Sequence, residues 1–184
     1  MRGTDAAIER LFIAVPLTEP ARKEIAAGLP ALPGRLVPPQ NWHFTLRFLG
    51  DTDQALREAL TSTLGGARLG PRFKIRFDGL GAFPRPKRAR IIWLGLDRGA
   101  RELISLAKVV EYFVRRAGFV PELRPFKPHL TLGRIEPSRS VVDMLAAQPT
   151  RRIEMLVTEV VLVRSELDGG PARHEVVQTY RLTG

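Results

Sequence analysis

The 184-residue chain contains no cysteine. This absence excludes disulfides, a thiolate nucleophile and zinc sites built on cysteine ligands. The sequence also lacks any run that approaches the roughly 20 apolar residues of a membrane span. Its apolar N-terminal run, 11–17, is short, and Asp5 and Glu9 precede it where a signal peptide would carry positive charge. We therefore expect a soluble, cytoplasmic protein with no membrane partner.

Acidic residues are also few. The chain has 19 Asp and Glu against 29 Lys and Arg, a formal net charge of +10. Such an excess predicts attraction to polyanions. However, 24 of the 29 basic residues are arginine, a bias that a GC-rich genome also produces, so charge alone leaves both origins open. The basic loop 84–90 could contact phosphates, but charge runs usually cover a solvated surface, and we interpret it as a solvated connection.

The predicted elements occur twice in the same order. Apolar spacing and turn residues predict strand, helix, strand, helix and strand in each half, approximately 10–83 and 89–184. The second half is expected to continue with a helix over 136–147. It then closes with a hairpin of two long strands, 153–164 and 174–182, joined by the turn 168–171. A duplicated unit of this kind is expected to pack with approximate two-fold symmetry around a central groove.

One short motif appears in both halves, as His43-Phe44-Thr45-Leu46 and His129-Leu130-Thr131-Leu132. Because side chains alternate along a strand, the His and Thr share one face while the two apolar residues point into a core. Two such strands side by side would present two imidazoles and two hydroxyls to one cleft. An imidazole can give or take a proton near neutral pH, so this set suits acid–base chemistry on a phosphate.

Structural histidines and a metal site are the competing interpretations. A lone histidine in an apolar strand is most often structural, but the chain has only three, and two of them share the Thr and Leu spacing. His174 lacks that spacing, so we interpret it as a structural residue on an exposed strand. A zinc site needs three or four ligands, and the motifs supply threonines instead of carboxylates. Nucleophilic attack by either threonine would need an adjacent base for each hydroxyl.

The flanks of both motifs resemble the two-histidine (2H) phosphoesterase superfamily, and within it the RNA 2′,3′-cyclic phosphodiesterases, also called 2′-5′ RNA ligases. A single His-x-Thr is weak evidence, whereas two copies in these flanks are specific. The similarity runs the length of the chain and is carried by the segments 10–14 (RLFIA), 43–50 (HFTLRFLG), 81–84 (GAFP), 92–93 (IW) and 126–134 (FKPHLTLGR).

This resemblance implies an α+β fold of two pseudo-symmetric lobes, each an antiparallel sheet flanked by helices, with a central cleft. We expect residues 1–184 to form that single bilobal domain. The implied reaction is hydrolysis of RNA ends or nucleotides with a 2′,3′-cyclic phosphate to a 2′-phosphate, without metal or cofactor. His43 is implied to be the general acid and His129 the general base, and we expect a monomer. Reversible 2′-5′ RNA ligation and a non-catalytic RNA-binding module remain alternatives.

Four residues are predicted to bind substrate beside the two histidines. Thr45 and Thr131 are expected to donate to the non-bridging phosphate oxygens, where negative charge builds up. Arg134 matches the arginine that follows the second motif in the family, and Arg47 is the candidate cation beside the first motif.

Two aspects of strand geometry bear on the predicted arginines. Arg134 is five places from His129, so strict alternation would turn it away from the cleft unless Gly133 allows a bulge. Arg47, four places from His43, lies on the cleft face by the same alternation. Four aromatic residues could stack on a base but are interpreted as core: Phe12, Phe48, Phe83 and Trp93.

Overall fold

The structure is a computed structural model that describes residues 8–147, 152–167, 169–170 and 172–183. The strands in these ranges are β1 Glu9–Pro16, β2 Arg35–Leu36, β3 His43–Thr52, β4 Phe73–Phe83, β5 Ala89–Arg98, β6 Leu130–Arg139, β7 Ile153–Val157, β8 Glu159–Glu166 and β9 Arg173–Arg181. The α-helices are α1 Glu19–Gly28, α2 Gln54–Gly65, α3 Ala100–Arg116 and α4 Val142–Ala146. No helix within these ranges is both long and apolar enough to cross a membrane.

Two antiparallel sheets form the framework. One has four strands in the order β3-β1-β8-β9, and the other has five in the order β2-β6-β5-β4-β7. The motif strands β3 and β6 lie at corresponding edges, since only the two-residue β2 lies outside β6. The predicted α+β fold of two antiparallel sheets with helices is confirmed.

The two halves of the chain exchange strands. β4, from the first half, pairs with β5 in the five-stranded sheet. β8, from the second half, pairs with β1 in the four-stranded sheet. The element order repeats along the chain as expected, yet each sheet contains strands from both halves. The connections between consecutive strands therefore link the two sheets covalently.

Two predictions for the second half need correction. The expected helix over 136–147 is wrong for its first part, because β6 continues to Arg139 and pairs there with Ala89 of β5. Ladder hydrogen bonds override the local helical pattern, and only α4 remains. The expected strand over 153–164 is two strands that belong to different sheets, β7 beside β4 and β8 beside β1.

The hairpin at the C-terminal end is confirmed, since β8 and β9 pair antiparallel from Glu159↔Arg181 to Glu166↔Arg173. In its predicted turn, Asp168 and Pro171 lie outside the described residues.

One apolar core lies beneath both motif strands. All four apolar motif residues, Phe44, Leu46, Leu130 and Leu132, are buried in it as the alternation predicted. The ring of Phe44 stacks on that of Phe77 in β4 with centroids 5.7 Å apart, which joins the two sheets. α3 buries a stripe of five residues against the same core: Leu103, Leu106, Ala107, Val110 and Val114. Burial of one strand face leaves the His and Thr side chains on the other.

Gly81 makes room for an aromatic stack behind the second motif. It lies opposite Trp93 in the β4–β5 ladder, and a Cβ at this position would overlap the Trp93 ring. That ring packs against Phe83 with centroids 5.2 Å apart, and Phe83 meets the His129 ring edge-on at 5.0 Å. By leaving space for the Trp93 ring, Gly81 permits the chain of aromatic contacts that positions His129.

Gly81→Ala is expected to destabilise the protein by about 1–3 kcal/mol, the usual effect of overpacking a filled site. The cause is displacement of the Trp93 ring, and denaturant unfolding measures it. Gly65→Ala, at the end of α2 with open space around it, is the matched control. It should be neutral or stabilising by up to about 1 kcal/mol, because alanine favours helix over glycine. Equal losses in both variants would contradict the packing argument.

Candidate active site

A cleft of about 370 Å³ opens between the two sheets, and both motifs line it. His43 and Thr45 reach it from β3. His129, just before β6, and Thr131, in β6, reach it from the other side. No carboxylate belongs to the described residues that line the cleft. The structure thus brings together the two imidazoles and two hydroxyls that the strand alternation placed on one face.

Both ring nitrogens of His43 are hydrogen-bonded. Nδ1 is 2.7 Å from the carbonyl oxygen of Asn41, and Nε2 is 2.9 Å from Oγ1 of Thr45. Because a carbonyl can only accept, Nδ1 carries the hydrogen and donates it. In the neutral ring Nε2 then holds a lone pair and accepts the Thr45 hydroxyl. The fold therefore presents His43 in one defined tautomer, with its basic nitrogen next to the threonine.

Packing keeps this ring neutral. His43 stacks on Phe12 with centroids 4.7 Å apart and meets His174 edge-on at 5.3 Å. The pKa of His43 is lowered from 6.5 to about 4, mainly by burial; the hydrogen bond to the Asn41 carbonyl opposes the shift, and the nearby His174 and His129 add to it. His43 is consequently uncharged at neutral pH when no ligand is bound.

The His129 ring is oriented by an equivalent hydrogen bond to a backbone carbonyl. Its Nδ1 lies 2.6 Å from the carbonyl oxygen of Lys127, so Nδ1–H donates to the residue two places upstream, as in His43. Nε2 is left as the nitrogen that can act on a ligand. The ring is half-buried, which leaves it accessible to water from the cleft.

A bulge in the second motif strand, which the sequence left open at Gly133, is present. Thr131 and Gly133 pair with successive residues of β5, so Leu132 is an extra residue in β6. Leu132 and Gly133 are both buried, and Arg134 lines the cleft although it is five places from His129. The alternation has shifted by one residue.

The first motif carries a matching bulge that sequence reasoning missed. Thr45 and Arg47 pair with successive residues of β1, so Leu46 is the extra residue. Phe48 consequently lines the cleft, at the position that corresponds to Arg134 in the other motif. Its side chain is 60% exposed, so its interpretation as core is wrong.

The prediction that Arg47 faces the cleft is also wrong, for the same reason. Strict alternation from His43, which ignores the bulge at Leu46, would place it on the cleft face, whereas its guanidinium lies on the opposite side of the sheet. There its Nε is 2.8 Å from Glu111 of α3, and its Nη1 is 3.7 Å from Glu122. It also donates to the carbonyl of Val120. Arg47 therefore fixes the segment before His129 and does not reach the cleft.

His174 is a cleft residue, although its lack of the motif spacing indicated a structural role. It lines the cleft from β9, and its ring meets Phe12 edge-on at 5.1 Å as well as His43. Burial lowers its pKa below the usual value. No spacing signal marked it, because its position depends on the register of the β8–β9 hairpin.

Asn41 was missed as well. Its backbone carbonyl accepts from His43, and its side-chain Nδ2 donates to the carbonyl of Ala172 at 2.7 Å. One residue thus ties the first motif to the segment that enters β9. Arg10 and Arg35 also line the cleft without having been predicted.

The two motifs supply imidazole and hydroxyl groups to the cleft and no carboxylate or thiolate. Among the residues that the structure describes, no three His, Cys, Asp or Glu side chains are grouped so that they could hold a metal ion.

Comparison with known proteins gives concordant results. The model of the LigT-like phosphoesterase family matches two consecutive stretches, residues 16–93 and 94–172. The RNA 2′,3′-cyclic phosphodiesterase of Escherichia coli is 34% identical over 95% of this chain and 97% of its own length. That of Aquifex aeolicus is 33% identical over 82% and 83%.

Solved structures show the same relationship. E. coli LigT in complex with 3′-AMP superposes with a TM-score of 0.80 at 32% identity, covering 97% of this chain and 100% of that one. A protein of Thermus thermophilus gives 0.77 at 29% identity, covering 95% and 98%.

Histidine resonances followed by NMR should show His43 titrating near pH 4 in the ligand-free protein. The folded chain then takes up this proton only near pH 4, whereas the unfolded chain takes it up near 6.5. Folding stability should therefore fall as pH drops from about 6.5 to about 4. His43→Gln should lose this part of the pH dependence. A His43 midpoint above pH 6 would contradict the buried neutral ring.

Proposed function

The chain belongs to the LigT-like phosphoesterase family, and from this premise we propose that it hydrolyses 2′,3′-cyclic phosphates at RNA ends to 2′-phosphates. It is a cyclic phosphodiesterase, in agreement with the resemblance seen in the sequence. The observation that carries the proposal is the convergence of both His-x-Thr motifs on one cleft. A cleft that is lined by arginine and contains no described carboxylate suits an anionic ligand.

Hydrolysis of a cyclic phosphodiester needs two proton transfers. Water must lose a proton as its oxygen bonds to phosphorus, and the departing 3′ oxygen must gain one as the P–O bond breaks. Attack and departure occur in line, so the two catalytic groups must flank the phosphate. Each positioned transfer contributes about 10² to 10⁴ in rate.

We assign the base role to His129. Its Nδ1–H is committed to the Lys127 carbonyl, so Nε2 of the neutral ring accepts the proton from water. The assignment of base and acid follows the family resemblance, since the two motifs are equivalent in sequence.

His43 is then the general acid, so its ring must be protonated before it can donate. Without a bound anion the ring is neutral, because its pKa is lowered to about 4. A phosphate anion beside Nε2 favours the charged imidazolium and raises that pKa. Binding of the substrate phosphate therefore favours protonation of His43. The protonated ring then donates its proton to the 3′ oxygen.

Thr45 changes partner in the same step. Its hydroxyl donates to the lone pair of His43 Nε2 while the ring is neutral. Once Nε2 carries a proton, the hydroxyl is free to donate to a non-bridging phosphate oxygen. Thr131 and Arg134, which line the other side of the cleft, are proposed to stabilise the charge that grows on those oxygens.

The proposed reaction needs no metal, because the histidines move both protons and the threonines and Arg134 stabilise the charge. Activity is expected to be unchanged by EDTA. Strong inhibition that added metal reverses would contradict this part of the mechanism.

Phosphorus NMR of a short RNA ending in a 2′,3′-cyclic phosphate is the direct test. We expect a single 2′-phosphate product. Replacement of His43 or His129 by Ala should lower the rate by at least about 10², the contribution of one proton transfer. Thermal melts should show that both variants remain folded.

His174→Ala is the matched control, since it removes an imidazole of the same cleft that carries no proton in this scheme. It should retain more activity than either catalytic variant. Undiminished turnover in the double variant His43→Ala, His129→Ala would overturn the proposal. Tight RNA binding without turnover by the native protein would instead indicate the RNA-binding module.

2′-5′ ligation would use the same two proton transfers with a 5′-hydroxyl in place of water: its oxygen bonds to phosphorus as it loses a proton, and the 3′ oxygen gains a proton as the P–O bond breaks. Addition of a second RNA with a free 5′-hydroxyl to the same NMR sample would reveal it as a new phosphodiester resonance.

A further inference from the structure

Two arginines face each other at the outer edge of the five-stranded sheet. In the β2–β6 ladder Arg35 lies directly opposite Arg134. Directly opposed residues of an antiparallel pair project from the same face with their Cβ atoms about 5 Å apart. Both side chains line the cleft, and both residues are exposed.

This pairing of like charges is unfavourable unless an anion lies between them. Like charges directly across a ladder destabilise it, and no described residue lining the cleft is a carboxylate. In the part of the chain that the structure describes, neither arginine forms an ion pair, although seven other basic side chains do: Arg22, Lys23, Arg47, Arg57, Arg76, Arg124 and Arg164. The pair is therefore left with two uncompensated charges that point into one space.

The backbone holds the two strands together at this point. Gly34 has φ +88°, and a Cβ there would overlap the carbonyl of Arg134, so only glycine allows this approach. The adjoining Val37 N–H donates to the Leu132 carbonyl at 2.8 Å. A glycine-dependent contact thus sets Arg35 beside the second motif and keeps it there.

We propose that Arg35 binds a second phosphate, the one that joins the reactive nucleotide to its neighbour, while Arg134 binds the phosphate that reacts. Arg134 follows Thr131 along the cleft face of β6, whereas β2 lies one strand farther out. A guanidinium fork matches phosphate geometry, and two anions relieve the facing charges.

The substrate class that follows is an oligoribonucleotide end, with the strand leaving the cleft over β2. A cyclic mononucleotide has no phosphate for Arg35. This inference rests on the proposed function and deepens it.

Three substrates test the subsite: a cyclic mononucleotide, a dinucleotide ending in the same cyclic phosphate, and that dinucleotide with a neutral methylphosphonate linkage. The native protein should have the highest kcat/KM on the charged dinucleotide, and the methylphosphonate should fall by roughly ten-fold, the loss of one charged hydrogen-bonded contact. Equal kcat/KM for all three would overturn the subsite, and this part needs no variant.

Arg35→Gln should lower kcat/KM for the charged dinucleotide by about ten-fold, mainly through KM, and leave the mononucleotide within about two-fold. Arg68→Gln is the matched control, because it removes one positive charge from an exposed loop position that does not line the cleft. It should change neither substrate. The melting temperature of Arg35→Gln should be unchanged or higher, since a facing charge is gone; a lower one would contradict the unfavourable pairing.

Two failures are distinguishable. If the native protein turns over none of the substrates, the proposed function fails. If it turns over all of them and Arg35→Gln lowers the mononucleotide and dinucleotide equally, only the second phosphate site is overturned.

Discussion

Alternation along two strands, with one face in a shared core and the other in a cleft, is the constraint on which the site depends. Phe44 and Leu130 are fully buried beneath the two sheets, so the histidine before each must face the cleft. In both motifs a hydrogen bond from Nδ1 to the carbonyl two residues upstream then fixes the ring and its tautomer. Core packing therefore determines which side of the strand reacts, and one backbone hydrogen bond determines which nitrogen is presented.

The two histidines are held alike but sit in different surroundings. His43 is packed against Phe12 and His174, which makes its charged form unfavourable until an anion arrives. His129 meets only the edge of Phe83 among the described aromatic rings and is half-buried. The unequal packing keeps His43 neutral without a ligand, and in the proposed mechanism the phosphate charge favours the protonated ring that acts as the acid.

The sequence predicted the parts of this site that follow from a two-residue period and could not predict those that depend on register. His43, Thr45, His129 and Thr131 share a face by simple alternation. Arg47 was misplaced because the bulge at Leu46 shifts that alternation, while a bulge beside Gly133, which the sequence left as one of two alternatives, brings Arg134 into the cleft. His174 depends on hairpin register, and Arg35 on a strand of two residues, too short for any periodic signal. The run 153–164 is apolar throughout most of its length, and nothing in such a run tells which sheet each part joins.

The central claim is that both imidazoles act on one phosphorus atom. A crystal structure with orthovanadate, which adopts the five-coordinate geometry of phosphoryl transfer, tests it most directly. We expect vanadium between the two rings, with one apical oxygen within hydrogen-bond distance of His43 Nε2 and the other within that distance of His129 Nε2. Vanadate bound to only one of the histidines, or outside the cleft, would contradict the account.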